Sequence, residues 1–285
     1  MTPGPPGGAG SPLDRRPPWL LAVMYAGALA LVLLAIGPAI WLVGIAVSNT
    51  NVPLSRLPKP GEMTTQNFTG AWEEGGLFRA LLNSVWVTAV QTVLNVLLAA
   101  LAAYPLARMD FRGRGLVFVL ILSTIMVPEQ VILVPLFQTV VGMGLFDTLA
   151  AVVLPFSVTA LGIYLCRQTM MAIPPDLEEA ARLDGANALQ TWRHVMLPLS
   201  GPTLATLAVF SFIGAWSNLL WPLVVLQSPD KLTLPVALNQ LLGVFATNQR
   251  YAYAGAVMAV APVVLFYMLA QRFLKAGLLS GAVKG

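Results

Sequence analysis

Residues 173–199 read IPPDLEEAARLDGANALQTWRHVMLPL and form the longest polar stretch in the second half of an otherwise apolar chain. Two prolines end the preceding element, and Asp176 is suited to cap a short helix. Gly185 then stops that helix, because glycine readily adopts the left-handed conformation found at helix ends. A second, amphipathic helix is expected over 188–196. The stretch therefore predicts a polar helix-turn-helix held between two apolar segments.

The composition is that of a polytopic membrane protein. Hydrophobic residues make up 57% of the 285 residues and charged residues 10%, whereas soluble proteins carry about 25% charged residues. The net charge of +4 arises from basic residues beside apolar segments, which is typical of membrane topology and argues against nucleic acid as a partner. The one cysteine, Cys166, lies in an apolar run and is expected to be a buried packing residue.

The apolar segments predict an all-α polytopic membrane protein with six transmembrane helices. A tail at 1–18, expected to be disordered, precedes a first helix at 19–47 and an external loop at 48–80. A core domain of five helices follows at 81–273, with the helix-turn-helix at 174–198 between helices four and five, and a tail at 274–285. We place the later spans at 81–106, from 116 to 128 with either a continuation or an interfacial piece over 131–143, at 148–164, at 202–226 and at 252–271.

The basic residues predict the orientation of these helices. If both termini and the polar helix-turn-helix are cytoplasmic, eleven of the 16 lysine and arginine residues lie inside. Positive charge favours the cytoplasmic side of a membrane. We therefore expect a multi-pass protein of the cell (inner) membrane with both termini in the cytoplasm.

The polar stretch resembles the EAA loop of permease subunits of binding-protein-dependent ABC importers. It reads EAA, three residues, glycine, nine residues, valine, one residue and LP, with valine where isoleucine is commoner in that family. The resemblance implies a coupling helix that sits in a cleft of a cytoplasmic ATPase. The residues to which it assigns this coupling are Glu178, Glu179, Ala180, Ala181, Asp184, Gly185, Val195, Leu197 and Pro198. The apolar stripe Leu189, Trp192, Val195 and Met196 is expected to pack against the ends of the spans.

Four further segments resemble sugar-importing permeases of the maltose-transporter type, specifically the smaller six-helix partner. They are LLNSVWVTAVQT, AYPLARMDFRGRG, LPVALNQLLG and the C-terminal GLLSGAVKG, whereas WSNLLWP at 216–222 lacks the acidic residue common there. The resemblance implies import of sugars or oligosaccharides together with a second, different permease, two ATPase subunits that bind ATP and Mg²⁺, and an external solute-binding protein. It also implies that the external loop at 227–251 contacts the binding protein and that the tail at 277–285 contacts the ATPases.

Several kinds of chemistry are missing from the sequence. It contains no phosphate-binding G-x-x-x-x-G-K-[ST] loop, and the single histidine, His194, has no ligand partner at metal-site spacing. We therefore expect no catalytic residue, no metal site and no cofactor bound by this chain. The spans at 81–106, 202–226 and 252–271 hold no charged residue, which argues against the alternative of an ion-coupled secondary transporter. A permease for a non-sugar solute such as glycerol phosphate remains a further alternative.

Neutral polar residues within the spans are candidates for a substrate pathway. They are Thr88, Gln91, Asn95, Ser211, Asn218 and Trp221. The first three recur at spacings of three and four, so they share one helical face. Uncharged hydrogen-bonding groups suit sugar hydroxyls, and Trp216 or Trp221 offers a stacking face. The same groups equally suit hydrogen bonds between helices within the bilayer.

Overall fold

A computed structural model describes residues 17–73, 76–244 and 249–282. The tail predicted at 1–18 therefore lies outside the described residues, except for its last two positions. Throughout the described ranges the ordered elements are helices, and these ranges contain no strand. The all-α prediction is confirmed.

The helices follow one another with short connections, and several of them end in a tight turn. In chain order they are α1 (Pro18–Ala46), α2 (Gln66–Glu73), α3 (Leu77–Arg108), α4 (Arg114–Ser123), α5 (Glu129–Gly142), α6 (Leu149–Val153), α7 (Ala160–Ala172), α8 (Pro175–Leu183), α9 (Ala188–Thr191), α10 (Leu197–Leu199), α11 (Gly201–Ser217), α12 (Leu220–Val225), α13 (Leu234–Val244) and α14 (Arg250–Ala282). Turns of 3₁₀ helix occupy Pro60–Glu62, Thr124–Met126, Leu154–Phe156 and Pro229–Lys231, and a π turn occupies Trp192–Met196.

Three helices are long and apolar enough to cross a membrane without a break. They are α1, α3 and the first part of α14. Three further candidates are pairs of helices bent by 105°, 43° and 78°, in which the second member is α5, α7 or α11. Counting each bent pair as one span gives up to six spans within the described residues, which is the number predicted from the sequence.

The helices differ from the predicted spans at several points. The candidate span in α3 begins at Leu77 rather than at residue 81. α14 continues through Ala282, but the part of it that could cross a membrane, Arg250–Leu269, lies close to the predicted 252–271. The fifth span was expected to run unbroken to residue 226, but α11 ends at Ser217, Asn218 is extended, and α12 starts again at Leu220. Hydropathy measures how apolar a segment is, and it does not detect a change of direction between two apolar helices.

The central helix of the bundle is α3, which packs against both α7 and α11. Its contact with α7 depends on small residues, because Ala99 and Ala103 of α3 are completely buried. A Cβ on Gly162 of α7 would lie 3.0 Å from the Cβ of Ala99 and 3.1 Å from a methyl group of Leu207. The two backbones approach closely only because Gly162 has no side chain, as is common where helices pack within a membrane.

Asp147 connects the turn before α6 with the segment after α12. Both lie at the end of the bundle opposite the polar helix-turn-helix, and we call this end of the bundle the far end. Its carboxylate accepts hydrogen bonds from the backbone N–H groups of Gln227 (2.8 Å) and Ser228 (3.0 Å) and from the Ser228 hydroxyl (2.5 Å). The ammonium of Lys231 lies 3.0 Å away. These bonds, above all the one from the Ser228 hydroxyl, hold the pKa of Asp147 well below its usual range. The turn before α6 and the segment after α12 are thereby joined.

We expect Asp147→Asn to loosen this connection. Asparagine tolerates the left-handed backbone of Asp147, with its φ of 56°, but it lacks the charge that strengthens the hydrogen bonds. Amide hydrogen exchange at Gln227 and Ser228 should become roughly tenfold faster at pH 7, while exchange within α3 stays unchanged. Equal exchange rates in the two proteins would contradict this role of the carboxylate.

The same connection should weaken in acid. Because the folded-state pKa of Asp147 is lowered, its contribution to stability is fully present above the unfolded pKa of about 4. That contribution is lost as the pH falls through the lowered folded-state pKa. Exchange at Gln227 and Ser228 in the wild-type protein, once corrected for intrinsic rates, should therefore stay constant from neutral pH down to about pH 5 and become faster as the pH falls further.

Candidate functional site

The polar helix-turn-helix begins with α8, whose first residue is Pro175. The predicted cap by Asp176 is wrong, because Pro174 occupies the capping position and makes no side-chain hydrogen bond. Proline suits the first helical position, where an N–H group would have no partner within the helix. Asp176 instead lies in the first turn, where its charge interacts favourably with the helix dipole.

The turn at Gly185 is confirmed as the end of α8. Gly185 has a φ of +87°, and its N–H group donates to the carbonyl of Arg182 at 3.0 Å. The N–H group of Ala186 donates to the carbonyl of Ala181 at 2.9 Å. This pair of bonds is the Schellman arrangement, which requires a left-handed residue. A Cβ at Gly185 would meet no atom within 4 Å, so the backbone conformation and not the available space calls for glycine.

Glu178 attaches α8 to the end of α3. Its side chain is buried, with 5% of the residue exposed. The carboxylate accepts hydrogen bonds from the Tyr104 hydroxyl (2.9 Å) and from the Arg182 guanidinium (2.8 Å), and Nε of Arg108 lies 3.7 Å from its other oxygen. Arg108 also donates to the carbonyl of Ile173, just before α8. The buried carboxylate is thus paired and hydrogen-bonded, as a charge removed from water must be.

The rest of α8 faces away from the bundle. Its exposed residues, including those of the turn, are Asp176, Leu177, Glu179, Ala180, Arg182, Leu183 and Asp184, and Ala181 is half-buried. Leu183 is 88% exposed. The two neighbouring glutamates therefore differ, since Glu178 binds residues of this chain whereas the side chain of Glu179 is exposed. Exposed leucines beside carboxylates form a surface suited to a protein partner.

The second half of the helix-turn-helix is held by its own contacts. Asn187 caps α9. Its side chain accepts a hydrogen bond from the backbone N–H of Gln190 at 3.0 Å, and the Gln190 side chain accepts one from the backbone N–H of Asn187 at 2.8 Å. The Trp192 indole donates to the carbonyl of Ala100 in α3 at 3.1 Å. Leu189 is 63% exposed, so the predicted apolar stripe is wrong at this position. The π turn that starts at Trp192 changes the helical period and takes Leu189 off the packed face.

The remaining residues of the predicted coupling set lie at the junction with α11. Val195 and Leu197 are half-buried, and Leu197 packs with the cluster that includes Cys166, which is buried as predicted. Pro198 is exposed and lies in the first turn of α10. The helix-turn-helix is therefore anchored along one side and open along the other.

A groove with a volume of about 260 Å³ lies where the bent helices break. Apolar side chains form most of its wall, and we call it the polar groove for the polar side chains that it also contains. The polar residues that line it are Gln91, Asn95, Glu129, Thr159, Ser211 and Asn218. Asn95 lies 13 residues before the end of α3, or about 20 Å along the helix axis. This depth falls within a hydrocarbon core of about 30 Å. Discontinuous helices around a polar site at membrane depth are typical of transport proteins.

Two of the predicted pathway residues do not line the groove. Thr88 is buried elsewhere in the bundle. Trp221 is fully buried, donates its indole N–H to the carbonyl of Ala151 at 2.9 Å, and contacts Phe156 edge-on. The prediction that Trp221 offers a stacking face is therefore wrong, because neighbouring side chains cover it. Trp216 is also buried.

The other predicted pathway residues divide into two groups. Asn95 joins three helices, because its amide donates to the Ser211 hydroxyl (2.6 Å) and its oxygen accepts from the N–H (2.9 Å) and hydroxyl (3.2 Å) of Thr159. Asn218 accepts a 3.3 Å bond from the backbone of α12. The Gln91 amide makes no side-chain hydrogen bond to any residue in the described part of the chain. Asn95 and Ser211 therefore hold helices together, whereas the Gln91 side chain lines the groove without such a bond.

Sequence reasoning missed Glu129 as a groove residue. It is the first residue of α5, at the 105° bend. The signal was present, since an ionisable side chain within an apolar segment marks a functional site by default. The ambiguous limit of the third span concealed it.

The sequence and fold match known proteins. Residues 95–279 match the family described as "Binding-protein-dependent transport system inner membrane component". The chain is 39% identical over 227 residues to the arabinooligosaccharides transport system permease protein AraQ of Halalkalibacterium halodurans, covering 79% of this chain and 81% of that protein. It is 36% identical over 256 residues to the trehalose transport system permease protein SugB of Mycobacterium tuberculosis, covering 88% and 93%.

A similar fold occurs in a chain from the crystal structure of a bacterial ABC transporter involved in the import of the acidic polysaccharide alginate. The TM-score is 0.78 at 25% sequence identity, and the match covers 93% of this chain and 99% of that one.

We expect Glu178→Gln to lower the free energy of unfolding by about 3 kcal/mol, because it leaves Arg108 without its buried counter-charge. Glu179→Gln is the matched control. It changes an exposed side chain and should shift stability by no more than about 0.5 kcal/mol. Thermal unfolding of the two detergent-purified variants measures the difference. Equal melting temperatures would show that Glu178 does not anchor α8.

Proposed function

Because this chain belongs to the family of binding-protein-dependent transport system inner membrane components, we propose that it is a permease subunit of an ATP-driven importer of sugars or oligosaccharides. In this proposal the chain forms half of the translocation pathway. The names of similar proteins specify arabinooligosaccharides and trehalose as transported solutes. The observation that carries the coupling role is the helix-turn-helix, which is anchored to α3 by Glu178 and exposes the opposite surface of α8.

The proposed assembly contains four kinds of subunit. A second, different permease completes the pathway, two copies of an ATPase bind ATP and Mg²⁺, and an external protein delivers the solute. This chain performs no hydrolysis, because its sequence lacks a phosphate-binding loop. The exposed carboxylate of Glu179 pairs with a basic group of the ATPase, and Leu183 fills an apolar part of the same cleft.

The contacts support a route for coupling in this proposal. Closure of the ATPase dimer moves α8, and the Glu178 cluster and the Trp192–Ala100 hydrogen bond transmit that movement to α3. Along α3, Asn95 joins α7 and α11 beside the groove. The spans therefore move together between inward-open and outward-open arrangements, whose populations depend on differential contacts with ATPase and binding protein.

The orientation follows the distribution of charge. We place the helix-turn-helix and both termini in the cytoplasm and the far end outside. The segment that Asp147 holds, together with α13, is then the outer surface available to the solute-binding protein. Its attachment to the turn before α6 keeps this surface in a defined position.

The ATPase partner can be tested by purifying the tagged chain in mild detergent. The wild-type chain should co-purify with an ATPase whose activity responds to the loaded binding protein. In Gly185→Asp the left-handed position becomes strained and a new charge enters the docking surface, so uptake should fall at least roughly tenfold while insertion is retained.

Gly113→Asp is the matched control for this test. Gly113 has a φ of +86°, and a Cβ added to it would likewise meet no atom within 4 Å, so it suffers similar strain outside the helix-turn-helix. It should retain uptake. Wild-type chain that purifies without an ATPase and moves solute under an ion gradient would replace this function with that of a secondary transporter.

The two roles of groove residues can be separated by alanine substitution. Asn95→Ala removes three interhelical hydrogen bonds, each worth about 0.6 kcal/mol, so it should lower the melting temperature. Gln91→Ala should leave stability unchanged and reduce sugar uptake by the assembled complex. Unchanged uptake with normal assembly in Gln91→Ala would leave this side chain without a role in the pathway.

A further inference from the structure

The polar groove contains a single ionisable side chain among its lining residues, that of Glu129. One of its carboxylate oxygens, Oε1, is buried and has no hydrogen-bond partner within the described part of the chain. Glu178 forms a contrast, because its buried carboxylate is surrounded by a tyrosine and two arginines. Of these two carboxylates, that of Glu178 is satisfied within the chain, whereas Oε1 of Glu129 is not.

An unpartnered carboxylate oxygen is unfavourable away from water. The dipole of α5 gives only a partial explanation for Glu129. An acidic residue in the first turn of a helix gains about 0.3–1 kcal/mol from the dipole, but this gain does not require the side chain to line a cavity. A solute in the groove would supply the missing donor.

The chemistry of the groove limits what that ligand can be. An ionised carboxylate accepts hydrogen bonds and donates none, and hydroxyl groups form short, strong bonds to it. Gln91 adds both a donor and an acceptor beside it. The lining includes no lysine, arginine or histidine that could offset a negative charge on the solute.

We propose that Glu129 determines the specificity of the groove for uncharged sugars. Its carboxylate accepts hydrogen bonds from sugar hydroxyls, and its charge repels anionic solutes such as uronate sugars and phosphate esters. The repulsion is effective because charges interact more strongly at membrane depth than in water. This inference rests on the proposed function, and it argues against glycerol phosphate as the solute.

The charge of the groove can be measured without knowing the natural sugar. A cysteine at Gly214 serves as the reporter, because Gly214 lines the groove and a Cβ there meets no atom within 4 Å. It is introduced into the full complex after Cys166→Ala, which removes the native thiol. The rates of modification by cationic and anionic methanethiosulfonates of similar size are then compared.

Glu129→Gln should lower the ratio of the cationic rate to the anionic rate roughly tenfold. The control is Glu73→Gln, which changes an exposed glutamate in α2, outside the groove lining, and should leave the ratio unchanged. An unchanged ratio in Glu129→Gln would overturn the proposal, because the groove would then not sense this charge.

Transport by the reconstituted complex provides the second arm. Labelled arabinotriose and trehalose serve as uncharged probes and digalacturonate as the anionic probe, with Glu73→Gln again as the control. For whichever uncharged probe the wild type imports, Glu129→Gln should reduce uptake roughly tenfold, while the control Glu73→Gln imports it at the wild-type rate. The variant should also discriminate less against digalacturonate.

The two arms separate the two hypotheses. If the wild type imports an uncharged probe and Glu129→Gln imports it equally well, the role of Glu129 is overturned and the sugar permease function stands. If the wild-type complex imports digalacturonate in preference to both uncharged probes, the specificity proposal also fails. If no probe is imported and none stimulates the ATPase, the proposed sugar import itself fails, whatever the thiol rates show.

Discussion

The buried carboxylate of Glu178 is the contact on which the arrangement of the chain depends. It joins a surface helix to α3, and α3 is the helix against which α7 and α11 pack. A charge in this position is stable only while Tyr104 and the two arginines surround it. Separating α8 from α3 would leave Arg108 without its counter-charge and Tyr104 without its acceptor, whereas Glu178 would keep only Arg182 of its own helix.

The polar groups inside the bundle follow two different rules. Asn95 uses its amide within the protein and holds three helices together. Gln91 and Glu129 line the same groove with unused hydrogen-bonding capacity. Unsatisfied polar groups weaken a fold, and in the proposed function a transported sugar supplies their missing partners. The groove therefore combines polar groups that are hydrogen-bonded within the chain with a few that have no such partner.

Much of this architecture could be predicted from the sequence. The all-α class, the number of candidate spans and the glycine turn at Gly185 follow from hydropathy and from the conformational freedom of glycine. The separation of Glu178 from Glu179 could not be predicted, because it depends on which face of α8 meets Tyr104. The burial of Trp221 and the exposure of Leu189 likewise depend on a helix break and a π turn. These features arise from tertiary packing, which a one-dimensional pattern does not contain.

Two glycines of the bundle differ in the space that is available for a side chain. Gly162 lies against Ala99 and Leu207, so a larger residue there would push two central helices apart. Gly214 faces open space in the groove, and a side chain could be added there without moving its neighbours. Under the proposed function, single substitutions on the groove wall can alter substrate preference, while the helix packing at Gly162 tolerates no side chain. Related permeases can thus share one helix packing and differ in the solute that they prefer.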